Sequence, residues 1–97
     1  MPGKSWNMSV QIDIPPLLRH HTNGMTTAEV KGSTVGECLN YLVKQYPATK
    51  KRLFDKNGRL LRYVEICVNG ETTYPEELAT PVNDGDEISI VYVISGG

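Results

Sequence analysis

No stretch of this chain approaches the roughly 18 consecutive apolar residues that a membrane span requires. The first seven residues, Met1 to Asn7, contain no apolar signal core. Neither sign of charge dominates, with 10 Lys and Arg against 11 Asp and Glu and a net charge of -1. A nucleic-acid binder carries a basic excess on one face, whereas the one dense basic cluster here, Lys50, Lys51 and Arg52, reads as a solvated surface. Cysteine is limited to Cys38 and Cys67, which sit in apolar-patterned segments without ligand spacing. They read as buried thiols in a reducing compartment, not as a disulfide or a metal pair. The expected location is therefore the cytoplasm, with no nucleic acid or membrane as partner. Internal repeats, low-complexity tracts and interdomain linkers are also missing.

What is present is the content of one soluble domain: 97 residues, 39% hydrophobic and 22% charged. Residues 8–14 alternate, with Met8, Val10, Ile12 and Ile14 apolar between Ser9, Gln11 and Asp13, the pattern of a half-buried strand. Pro15 and Pro16 end it, because proline donates no ladder hydrogen bond. A loop is expected over 17–24, closed by Asn23 and Gly24, and a second strand over 25–30. Thr34 with Glu37 three residues later reads as a capping box. Val35, Cys38, Leu39, Leu42, Val43 and Tyr46 then form one apolar helical stripe that Pro47 ends. Residues 48–54 fit a short helical turn, 62–68 a third strand, Asn69-Gly70 a hairpin turn, 71–74 a fourth strand, and 86–94 the last strand.

The order β-β-α-β-β-β gives one amphipathic helix over one face of a mixed four- or five-stranded sheet. The expected fold class is α+β, a two-layer β-grasp (ubiquitin-like) domain over 8–94. Residues 1–7 are expected to be a disordered N-terminal segment and 95–97 a flexible tail.

That tail is Ser95-Gly96-Gly97. A terminal diglycine suits an enzyme that threads a chain end through a narrow channel and activates its carboxyl, since glycine has no side chain to obstruct passage. By chance alone such a pair ends about one chain in two hundred, so its weight rests on the scaffold that carries it. The scaffold agrees. The hairpin Val64-Glu65-Ile66-Cys67-Val68-Asn69-Gly70, the segment Leu78-Ala79-Thr80-Pro81-Val82-Asn83-Asp84-Gly85-Asp86-Glu87, the helix 34–46 and the final diglycine resemble, in order, the ubiquitin-like sulfur carriers. These include the small subunit of molybdopterin synthase, the thiamine-pathway carrier and the carrier for cysteine synthesis. The stretch Pro16-Leu17-Leu18-Arg19-His20-His21-Thr22 after the first strand looks most like the last of these.

The resemblance implies a mechanism in which the carrier is a protein co-substrate and not an enzyme. Gly97 would be adenylated and then converted to a thiocarboxylate, and Gly96 would give it clearance. The partners implied are an E1-like adenylating enzyme, a sulfur-accepting synthase and a metalloprotease. The carrier would bind no cofactor or metal of its own, and its partner would use the ATP. Sulfur donation toward cysteine or a related amino acid is the favoured pathway. A molybdopterin synthase subunit and a protein modifier that forms isopeptides through Gly97 are the alternatives.

Partner binding is assigned to Val91, Val93 and Ser95. Alternation in the last strand turns Ile88, Ile90 and Tyr92 toward the helix and Val91 and Val93 outward. They form either a docking patch or a surface packed beneath the 17–24 loop. His20 and His21 lack a third ligand at metal spacing and read as loop structure, and Cys38 and Cys67 do not read as nucleophiles. Two cysteines are too few for the cluster of a β-grasp ferredoxin. Asp84-Gly85-Asp86 is a tight turn, far short of a calcium loop.

Overall fold

The computed structural model describes residues 9–93 of the chain. Met8 at the front, and Ile94, Ser95, Gly96 and Gly97 at the back, lie outside the described residues, as do the segment 1–7 and the tail 95–97.

Five strands form one mixed sheet in the order β2-β1-β5-β3-β4. They are β1 (Ser9–Asp13), β2 (Thr27–Lys31), β3 (Val64–Val68), β4 (Glu71–Thr72) and β5 (Glu87–Tyr92). β1 pairs antiparallel with β2 and parallel with β5, so the first and last strands lie side by side in the centre. β3 runs antiparallel to β5 on its other side, with Val64 opposite Tyr92 and Ile66 opposite Ile90. This is the expected α+β β-grasp arrangement.

The alternation read from the sequence sorts the two faces. Val10, Ile12, Val30, Val64, Ile66, Ile88 and Ile90 point into the core. The helix α1 (Val35–Gln45) lays Val35, Cys38, Leu39 and Leu42 against them. At about 25 cal/mol per Å² of apolar surface removed from water, such a two-layer core is the main favourable contribution to folding.

Local signals explain where α1 starts. Thr34 is the N-cap, and its hydroxyl accepts from the Glu37 N–H at 3.1 Å. The Glu37 carboxylate does not return to the Thr34 N–H as in the expected capping box. It accepts from the N–H of Ser33 at 2.7 Å and from the Ser33 hydroxyl at 2.9 Å. Thr34 is instead bridged to Pro81, with the Val35 N–H donating to the Thr80 carbonyl. The preceding chain is compact there: a Cβ on Gly32 would stand 2.8 Å from the Glu37 Cβ and 2.9 Å from the Cys38 nitrogen.

The segment expected as a loop over 17–24 contains a 3-10 helix, Pro16–His21. Proline in the first turn fits a helix start because its missing N–H would be unpaired there in any case. The turn buries Leu18 and leaves Leu17 exposed. Strand β2 starts at Thr27, two residues later than expected, and β4 ends at Thr72, two residues earlier. The helical turn after α1 is present as a 3-10 turn, Pro47–Thr49, running into α2 (Lys50–Leu53). Leu53 is fully buried and Phe54 half-buried. The β3–β4 turn has φ of 52° at Asn69 and 85° at Gly70, the double positive φ expected of Asn-Gly. Among the described residues, no helix is long and apolar enough to cross a membrane.

Candidate functional site

The end of β5 is the last described part of the chain before Gly97, and three contacts hold it. Val93 donates its N–H to the Tyr63 carbonyl at 2.7 Å. Tyr92 is half-buried and donates its hydroxyl to the Arg52 carbonyl on α2 at 2.8 Å. Its ring lies 6.2 Å from that of Tyr63, tilted by 36°, within the range of favourable aromatic pairs. Burial pushes the Tyr92 phenol up to about 12, with the neighbouring Tyr63 adding to the shift and Arg52 opposing it. Tyr92 is therefore a neutral anchor for the end of β5.

Of the residues predicted for partner binding, Val91 and Val93 are described, and both are large apolar side chains at the surface. Val91 is 42% and Val93 49% exposed. Packing beneath the 17–24 segment therefore does not bury them. Ser95, Gly96 and Gly97 lie outside the described residues.

Beside Val93 opens a groove of about 600 Å³ that the sequence reading missed. Its apolar walls are Leu17, Tyr63, Tyr92 and Val93, and His20, His21 and Arg52 complete its lining. Leu17 is 60% and Tyr63 53% exposed. The residues come from the first 3-10 helix, α2, the approach to β3 and the end of β5, four segments far apart in sequence. Period-2 alternation placed Val93 outward, but no local pattern joins it to Leu17 or Arg52.

The outer face of the sheet is polar around Val91. Asp13 and Glu87 are near enough for a side-chain hydrogen bond, and that bond and the Asp13 charge raise the Glu87 carboxyl above its ordinary value. At the start of β5 the Asp86 carboxylate accepts from the Asn83 N–H at 2.8 Å and the Asn69 side chain at 3.0 Å, which lowers its pKa.

Neither thiol is activated. Burial pushes Cys38 up to about 11, with Glu37 adding to the shift, and burial with the Glu65 charge raises Cys67. A thiol held protonated at neutral pH is a poor nucleophile. Both cysteines are free. Among the described residues, no group of three or more His, Cys, Asp or Glu is placed to hold a metal ion, and His20 and His21 sit on the first 3-10 helix.

Comparison with known proteins agrees with this fold. Residues 18–97 match the ThiS family. The chain belongs to that family, whose members are the ubiquitin-like sulfur carriers that its motifs resemble. It is 37% identical over 93 residues to the sulfur carrier protein CysO of Mycobacterium tuberculosis, across 93% of this chain and 100% of the relative. A crystal structure of the Amycolatopsis orientalis BexX/CysO complex contains a chain 34% identical, with a TM-score of 0.82, covering 91% of this chain and 99% of that one. Small archaeal modifier protein 1 of Haloferax volcanii is 34% identical over 65 residues, across 67% of this chain and 71% of the relative.

Proposed function

We propose that this protein is a sulfur carrier whose Gly97 carboxylate is activated by a partner enzyme and converted to a thiocarboxylate. The observation that carries the reading is the similarity to CysO across 93% of this chain and all of the relative, on a mixed sheet whose last strand, β5, ends five residues before Gly97 in sequence. A carboxylate is a poor acyl donor because oxide is a poor leaving group. A Gly97 oxygen attacks the α-phosphorus of ATP in an adenylating enzyme, and pyrophosphate leaves. A sulfide-level donor then adds to the acyl carbon, AMP leaves with the bonding pair, and Gly97 ends as a thiocarboxylate. That sulfur is anionic at neutral pH and nucleophilic toward an activated carbon. The carrier needs no acid, base or metal of its own for these steps, because the partners supply them. Gly96 gives the reacting terminus clearance, Ser95 spaces it from the sheet, and Val91 and Val93 contribute apolar contact area.

The favoured acceptor is a synthase that makes cysteine or a related amino acid, with a metalloprotease completing the set of partners. The cytoplasm is the proposed location, where the two free cysteines stay reduced. Similarity to an archaeal modifier protein favours a second reading, in which the activated Gly97 acylates a lysine amine and forms an isopeptide.

The test is the intact mass of the chain after incubation with the adenylating enzyme, ATP and a sulfur source. Exchange of one oxygen for sulfur, lost on deletion of Gly97, is the expected result. No change in mass would remove the carrier reading. Branched peptides with a Gly-Gly remnant on lysine, without thiocarboxylate, would favour the modifier reading.

A further inference from the structure

We infer that the groove walled by Leu17, Tyr63, Tyr92 and Val93 and edged by Arg52 docks an acidic-rimmed apolar projection of the enzyme that adenylates Gly97. This deepens the function proposed above and rests on it.

Reach is the first argument. Val93 lines the groove, and Gly97 is four residues further along the chain. Even fully extended, four residues span no more than about 14 Å. An enzyme that seats the Gly97 carboxylate in its active site must therefore lie over the protein surface around Val93.

The second argument is the chemistry of that surface. Leu17 and Tyr63 are each more than half exposed, and Val93 nearly so, which makes a contiguous apolar patch beside the exit of the chain. Such patches on small soluble domains mark contact surfaces. Tyr and Arg are also the side chains that most often carry interface energy.

Charge then selects the partner. Lys50, Lys51, Arg52, Lys56, Arg59 and Arg62 stand between residues 50 and 62 against Asp55 alone, although the whole chain has a net charge of -1. Arg52 lies in the groove lining, and Lys51 and Arg52 line an adjoining depression with His21. A basic region beside an apolar groove fits carboxylates around an apolar side chain. Complementary charge of this kind raises the association rate and makes affinity sensitive to salt.

The test uses the full chain and its purified adenylating enzyme, with binding read by calorimetry and conversion read separately by intact mass. Arg52→Glu and Leu17→Ser each change an exposed position, so the fold is retained. Glu71→Lys on β4, at the far end of β3 from Tyr92, is the control. The expected result is a Kd about tenfold weaker for Arg52→Glu and for Leu17→Ser, and near wild type for the control. Wild-type affinity should fall with added salt, and the Arg52→Glu variant should show a shallower dependence. Unchanged affinity in both groove variants would overturn the proposal, as would a loss equally large in the control. Binding that follows the groove variants while no thiocarboxylate forms would leave the groove standing and remove the sulfur-carrier reading.

Discussion

Tyr92 couples the last strand to α2 through one hydroxyl. Replacing it by Phe leaves the ring in place and removes the donor to the Arg52 carbonyl. The expected cost is about 1 kcal/mol, read as a lower denaturant midpoint with an unchanged slope. Tyr92 also contributes to stability at alkaline pH. Its folded pKa is raised to about 12, so the unfolded chain loses the phenolic proton first. Its contribution is fully present below about pH 10, the ordinary tyrosine value, and is lost as pH rises from there toward 12, while Cys38, raised from about 9 to about 11, begins to lose its own contribution earlier. Tyr92→Phe should flatten that alkaline loss in thermal melts. On the acid side Asp86 and Glu37 are lowered by hydrogen bonds from Asn83 and Ser33 respectively, so the unfolded state takes up their protons more readily. Their contribution is present above about pH 4 and is lost as pH falls through the lowered values. Glu87 acts in the opposite sense, because protonation relieves its repulsion with Asp13. An Asp86→Asn variant should lose less stability than wild type between neutral and acid pH. The inward side of Tyr92 was legible from alternation along 86–94. Its partner was not, because Arg52 lies forty residues earlier and meets it only in the folded sheet.

Among the elements, α1 was the most legible, since cap, stripe and terminating proline agree on it. The detail that differs is the Glu37 carboxylate, which reaches past the cap to Ser33. Around it the chain on either side of Thr34 is tied to the 80–82 segment, the Val35 N–H donating to the Thr80 carbonyl and the Val82 N–H to the Ser33 carbonyl. Thr34→Ala should therefore cost about 1 kcal/mol, the usual value of a lost N-cap. Gly32→Ala should cost more, in the range of about 1–3 kcal/mol, because its new methyl meets the backbone of the first helical turn. Both are read by chemical denaturation. The stretch after β1 shows a limit of pattern reading. Pro15 and Pro16 do end the strand, but Pro16 also opens a helix, and only the second consequence brings Leu17 to the groove. A six-residue 3-10 helix, two turns long, is too short to leave a periodic signal, so it read as a loop.

For the whole molecule, the diglycine and the fold that carries it separate cleanly. Gly96 and Gly97 carry no side chain to bury, so their deletion should leave the melting temperature within about a degree, while the thiocarboxylate proposed for Gly97 should no longer form. Leu39→Ala should do the reverse. It is fully buried on α1, and its truncation should cost about 2–5 kcal/mol while leaving the chemistry of the terminus intact in the molecules that remain folded. The fold was legible at this scale because the helix and the longer strands carried their own periods and Asn69-Gly70 marked the turn into β4. The groove was not, since it is a property of four segments brought together by the sheet order.

The parallel pairing of β1 with β5 also has a mechanical consequence. The start of β1 and the end of β5 lie at opposite ends of the central pair. A force that draws the chain out beyond Tyr92 acts along the strands, across hydrogen bonds to β1 on one side and β3 on the other. Those bonds are loaded together, in shear, and cannot open one at a time as in a peeled hairpin. A pull on the chain beyond Tyr92 is thus resisted by the whole central sheet, so the domain stays intact under it.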